Sequence, residues 1–399
     1  MRKIIILTFL IFSKICFSQT TVNDYYEFLK KQHQSPKDYI FELFQTNDII
    51  ILGERDHRDT TQYDLILDIL KDERFIENIG YVYTEVGVVN QTEWGNRVVK
   101  GNFKNQKSFE KEFVKLYREL DFNPLWDKYN MIKYLKGIYN INRELKENEK
   151  ITIGFTDCAF EWEGMTKEKY KEFEKKNLHG LNTRDSIMAL NFIYLYEKQK
   201  PINGRKKALY IQSRPHAEKL NTIFVSKRIK KVGAYLKDKY YEKIKTIALN
   251  WYNWVPNEWQ NEIWGYGHKV ELSNDGKWDA AFELNGNKPI GFSIKETPFG
   301  KTFYDYPYNN PKTLLYEDII DGLIFYKPFY DFTCTRGLPK IVDKKFAKIM
   351  IERQIISGIY DENEKYCIKD EIEDWEDFRT FNCVDYSKMI EQMNKWLKK

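Results

Sequence analysis

Short apolar runs rich in β-branched residues recur along this chain, each followed by a polar or helical stretch. They are Asp48–Leu52 (DIIIL), Gly80–Thr84 (GYVYT), Ile151–Phe155 (ITIGF), Ala208–Ile211 (ALYI), Thr246–Leu249 (TIAL) and Gly322–Phe325 (GLIF). Continuous runs of this length suit strands covered on both faces. Helical periods lie between them. Tyr63, Ile66, Leu67 and Leu70 recur at i, i+3, i+4 and i+7; Ile187, Leu190, Asn191 and Tyr194 share a helical face; Ile229, Val232 and Leu236 share another. Strands alternating with helices form parallel βαβ units. The expected fold class is therefore α/β, a mostly parallel central sheet flanked by helices.

Two regions break the alternation. Residues 91–149 are charged and helical and read as an inserted helical cap. Residues 251–311 are rich in aromatics, Gly and Asn, with the runs Trp278–Leu284 and Ile290–Lys295 around Asn285-Gly286, a loop and hairpin signal. At 42% hydrophobic and 31% charged, the 399-residue chain can build a packed core, and residues 19–399 read as a single domain. Residues 1–18 read as a secretory signal peptide: Arg2 and Lys3 precede the apolar run Ile4–Phe12, and Cys16 and Ser18 supply small residues before a cut at Gln19. The expected location is periplasmic or secreted. The apolar run is too short to span a membrane, so no transmembrane span is expected after cleavage. Without Arg2, Lys3 and Lys14 the formal charge falls from +5 to +2, which gives no reason to expect a nucleic-acid partner. Four cysteines then remain, Cys158, Cys334, Cys367 and Cys383. They are either buried free thiols or include one bridge from Cys367 to Cys383 or Cys334.

In open parallel sheets, ligands sit beyond the carboxyl ends of the strands. The first run is followed by Glu54, Arg55, Asp56 and His57, the second by Glu85, the third by Asp157, the fourth by Arg214 and His216, and the fifth by Asn250 and Tyr252. These groups are expected to converge at one rim. An imidazole can take a proton from water, and a neighbouring carboxylate fixes its tautomer. His57 is the candidate base, with Glu54 three residues before it or Glu85 from an adjacent strand as its partner. The segment Trp251–His268 carries four tryptophans, including Trp251 and Trp254, and suits a small-molecule substrate with a sugar-bearing or polycyclic face. Asp157, Arg214, Trp251 and Trp254 are the expected substrate-binding residues. There is no Gly-x-Ser-x-Gly elbow, phosphate loop or Gly-x-Gly-x-x-Gly after a strand, so water is the expected nucleophile.

The run Ile50–His57 (IILGERDH) resembles the Gly-Glu-x-x-His opening of the erythromycin esterase-like proteins. It also resembles the wider group that holds the haem-uptake lipoproteins and the Tiki-type metallopeptidases. Glu85 in YVYTEVG, Gly154–Asp157, TRDSIMALN at Thr183–Asn191 and ALYIQSRPH ending in His216 follow in the family's order. Two positions depart from it: Arg58 stands where the family has Gly, and Ser213 where the esterases carry a further histidine. The resemblance implies a hydrolase acting on an ester, with an amide as the second choice. His57 would be the base on water, Glu54 and Glu85 would orient it, and His216 would stabilise the oxyanion. Arg184 and Asp185 would pair with each other at a helix start. No cofactor is expected on this reading. One alternative within the same group is a peptidase whose divalent metal is held by Glu54, His57, Glu85 and His216. The other is a non-catalytic haem or small-molecule carrier.

Overall fold

The computed structural model describes residues 20–179, 183–220, 222–224, 227–255, 269–305 and 314–398. The expected leader, and Trp259, Trp264 and His268, lie outside these residues. In chain order the strands are β1 (Ile49–Glu54), β2 (Tyr81–Val88), β3 (Thr152–Asp157), β4 (Ala208–Ser213), β5 (Thr222–Phe224), β6 (Lys227–Ile229), β7 (Ile244–Leu249), β8 (Tyr252–Val255), β9 (Lys269–Leu272), β10 (Ile290–Ser293), β11 (Gly322–Phe325), β12 (Thr333–Arg336) and β13 (Arg379–Asn382). Seven of them form one sheet in the order β10-β11-β7-β1-β4-β2-β3. All its pairings are parallel except that of β10 with β11. Every apolar run singled out above becomes a strand of this sheet. The reason is visible in β1, where Ile49 to Leu52 have no exposed surface and alternate between two apolar layers.

On one face, Ile49, Ile51, Tyr83 and Tyr210 pack against Met188, Phe192, Val232 and Leu236. On the other, Ile50, Leu52, Leu209 and Ile211 pack against Ile66, Phe113, Leu116, Ile132 and Leu135. Burying each such side chain contributes about 1.5–3 kcal/mol. The insertion at 91–149 thus differs from the expected cap. Its helices Thr92–Lys100, Gln106–Arg118 and Tyr129–Arg143 supply the flanking layer on this second face. Their apolar stripes need an apolar partner, and the sheet face is where that surface lies.

Three local readings change. Helix Thr183–Lys198 buries Met188, Ala189, Phe192 and Tyr196, whereas Leu190 and Tyr194 face solvent. The segment is apolar almost all round, so periodicity alone does not choose its inner face. Ile229 ends β6, and its helix begins only at Val232. Trp278–Leu284 lies in the helix Lys277–Leu284, not in a hairpin strand. Gly286, with φ +70°, follows that helix and its N–H bonds back to the Glu283 carbonyl. Asn-Gly here ends a helix with a left-handed residue. The hairpin-like pair of this region is β8 with β9, antiparallel. The Cys334–Cys383 disulfide joins β12 to the residue that follows β13, while Cys158 is a buried thiol and Cys367 an exposed one. Neither expected pairing of Cys367 forms, because Cys334 and Cys383 lie beside each other where β12 pairs with β13.

Candidate active site

Glu54 is the last residue of β1, and alternation puts it on the face of Ile50 and Leu52. Its carboxylate is 1% exposed. One oxygen lies 2.6 Å from His57 Nδ1, and the other accepts the Tyr63 hydroxyl at 2.9 Å. Tyr63 stands on the helix Gln62–Leu70 that follows the loop. Glu-x-x-His therefore closes on itself, with Nδ1 donating to the carboxylate and Nε2 left for the cleft.

The second imidazole is built from distant parts of the chain. β4 ends at Ser213, and the single helical turn Arg214–Ala217 carries His216. Asp185 Oδ1 lies 2.8 Å from His216 Nδ1 and also accepts the Val232 N–H at 3.0 Å. Gly233 lets the helix Val232–Tyr240 press onto this turn, since a Cβ there would collide with the Ala217 carbonyl oxygen. The expected Arg184–Asp185 pair is absent: Asp185 turns to His216, and Arg184 binds Asp157 at 2.7 Å and Glu85 at 3.4 Å.

Glu85 lies between the two imidazoles. Its Oε1 is 3.8 Å from His57 Nε2 and 3.6 Å from His216 Nε2, and its Oε2 accepts the Ser213 N–H at 2.8 Å. Glu85 was expected next to the His57 strand, but β4 separates β1 from β2. The two carboxylates straddle β4, and His216 hangs from its tip. His57 and His216 keep 26% and 19% of their side chains exposed, so both rings can be reached from solvent.

Charge follows from this packing. Burial opposes protonation of His57, but the Glu54 and Glu85 carboxylates outweigh it and push the imidazole up to about 10. The raised value favours the protonated ring, which suits an acid or an oxyanion partner. Burial would raise Glu85, yet the His216, His57 and Arg184 charges hold it well below the usual carboxylate range. Asp185 is likewise held down by His216 against its own burial. Burial pushes the Cys158 thiol up to about 12, so it is not a nucleophile at neutral pH.

The expected substrate-binding residues separate into two groups. Asp157 is 1% exposed and saturated by Arg184 and the Cys158 N–H. Arg214 is buried against Glu218, the Tyr304 hydroxyl and the Trp251 ring. Trp251 packs on Trp278 and Tyr316 in a core. These three hold the fold of the rim and do not face the cleft. Trp254 is half-buried, with the Arg58 guanidinium 5.1 Å from its ring. Asn250 and Tyr252 are buried, Asn250 reaching Arg55 at 3.4 Å. The residue not foreseen is Trp126, whose ring meets His57 edge-on at 5.4 Å. It comes from the insertion, and no strand-end rule points to it. Among the described residues, no group of three or more His, Cys, Asp and Glu is arranged to hold a metal ion.

The site lies at the strand ends of a mostly parallel sheet, and the fold is that of an α/β protein. Among solved structures it is similar to a Bacillus cereus protein with 14% identity, a TM-score of 0.51, and coverage of 76% of this chain and 97% of that one. It is also similar to a succinoglycan biosynthesis protein, with 10% identity, a TM-score of 0.48, and coverage of 72% and 89%. A third similar structure is a mutant of the erythromycin esterase EreC in its open conformation, with 12% identity, a TM-score of 0.40, and coverage of 71% and 91%. At such identities the likeness is one of fold. No protein-family model matches the chain, and no curated protein matches it.

Proposed function

We propose that the protein is an exported hydrolase that cleaves an ester with histidine-activated water, an amide being the second choice of substrate. One observation carries this reading: two carboxylate-backed imidazoles aim their Nε2 atoms at the same Glu85 oxygen. His216, its Nδ1–H held by Asp185, takes a proton from water through Nε2 as the water oxygen attacks the carbonyl carbon. Protonated His57 donates to the oxygen that becomes negative. When the tetrahedral species collapses, the His216 proton passes to the leaving alkoxide, giving an acid and an alcohol. Trp126 and Trp254, near the His57 loop, suit a small-molecule substrate with a flat or sugar-bearing face. No described helix is long and apolar enough to cross a membrane. The leader pattern and the Cys334–Cys383 disulfide support a periplasmic or secreted protein with its mature end near Gln19.

The test is an ester panel with the mature protein, its His57→Ala and His216→Ala variants, and chelator. Hydrolysis lost in both variants and indifferent to chelator is expected. Activity lost with chelator and restored by a divalent ion would support the peptidase reading instead. No turnover with tight binding of haem would support a carrier.

A further inference from the structure

The loop that carries His57 is gripped from the inserted helices. Asn130, in the first turn of the helix Tyr129–Arg143, is 3% exposed. Its Nδ2 donates to the His57 carbonyl at 2.6 Å and to the Asp59 carbonyl at 2.9 Å. One turn further on, Lys133 Nζ reaches the Thr60 carbonyl at 3.3 Å. Just before the helix, the Trp126 ring packs edge-on against the imidazole. The Tyr117 hydroxyl donates to the Trp126 and Lys128 carbonyls and so fixes the approach to the helix. One short segment of the insertion thus holds both the ring of His57 and the backbone from His57 to Thr60. A loop of polar residues has no apolar core of its own, and the His57 and Asp59 carbonyls find their donor in Asn130, while the Asp56 carbonyl is met by the Asp59 N–H and Gln62.

We infer that Asn130 is a positioning residue for His57, and that the inserted helices belong to the site as its scaffold. This rests on the hydrolase reading only for its effect on rate; the placement of the ring stands on the geometry alone. Both Asn130 bonds are buried, so losing the donor leaves two carbonyls unsatisfied, a cost the loop escapes by moving. Movement takes His57 Nδ1 away from Glu54 Oε1, now 2.6 Å distant, and the carboxylate then no longer holds the imidazole proton. The dyad of His216 and Asp185 makes no hydrogen bond with Asn130 and serves as an internal control.

The experiment compares wild type with Asn130→Ala and Asn130→Ser, by imidazole NMR titration of the full chain in the presence of chelator. In Ala the His57 titration is expected to move down by at least about one unit, the size of a lost charge-assisted contact. In Ser, which keeps one donor, it should move less, and His216 should titrate as in wild type. On an ester that wild type hydrolyses, kcat should fall roughly 10–100-fold, as for partners that orient a functional imidazole, with KM within about threefold of wild type on the same argument. If Asn130→Ala does not fold, the Ser variant carries the test. A folded Ala or Ser variant whose His57 titrates as in wild type overturns the inference. If no ester is turned over by wild type, the function reading falls while the titration still decides the role of Asn130.

Discussion

The two imidazoles of the cleft are held alike but built differently. His57 is paired to Glu54 across 3 residues of one loop, on the sheet face covered by the inserted helices. His216 is paired to Asp185 across 31 residues, through a helix start on the opposite face. Each carboxylate has one further donor, the Tyr63 hydroxyl or the Val232 N–H. Both rings point at Glu85, which lies nearly midway between them. His57 sits against two buried carboxylates and keeps its proton to about 10. A local motif thus holds one imidazole, and a long-range contact holds the other.

The comparison breaks most sharply if either ring is removed. His216→Ala is expected to lower turnover of a verified ester by roughly 10²–10⁴, the range for loss of a general base. Circular dichroism should stay unchanged, because the ring is partly exposed and leaves no apolar cavity. Full turnover in a folded His216→Ala variant would end the assignment.

The disulfide separates the two sides next. Thr60 N–H donates to the Thr333 carbonyl at 2.7 Å, and Asp59 bridges Cys334, so β12 is a second grip on the His57 loop. Replacing Cys334 and Cys383 by Ser is expected to cost about 2–4 kcal/mol in denaturant unfolding. Hydrogen exchange should quicken at residues 59–61 and stay constant at 214–217. Equal change in both segments would mean that β12 is not a local grip.

Glu54→Gln and Asp185→Asn should each reduce turnover about 10–100-fold. Their pH profiles should differ. Glu54→Gln brings the alkaline loss of activity to lower pH, because His57 then gives up its proton earlier. Asp185→Asn leaves that limb in place. Two identical profiles would show that the rings do not have separate roles.

The smallest effect is on stability. The folded-state pKa of His57 is raised from 6.5 to about 10, so its contribution is fully present below 6.5 and is lost as pH rises through about 10. The Tm difference between wild type and His57→Gln should therefore narrow across that window. A gap that does not vary with pH would show that the proton is not held.

The sequence made the layered fold readable because a buried parallel strand needs an unbroken apolar run, and Ile49–Leu52 can be little else. It also made Glu54 with His57 readable, since three residues keep them within reach whatever the rest of the chain does. Helix faces were less readable: around Met188 to Leu195 nearly every side chain is apolar, so Leu190 and Phe192 look equivalent until packing buries only Phe192. Arg214 and Trp251 follow strands as cleft residues would, yet they turn into the core. A position at a strand end fixes where the backbone is and leaves the side chain free to point elsewhere.

By itself, then, the chain's local order determined the strands, the rim and one carboxylate–histidine pair, because those depend on neighbours a few residues apart. Only the tertiary structure decided that Asp185 serves His216, that Arg184 serves Asp157 and Glu85, and that Trp126 and Asn130 from the insertion hold His57. It also decided the proton on His57, because that depends on two carboxylates from strands with β4 between them, buried together where water cannot screen them.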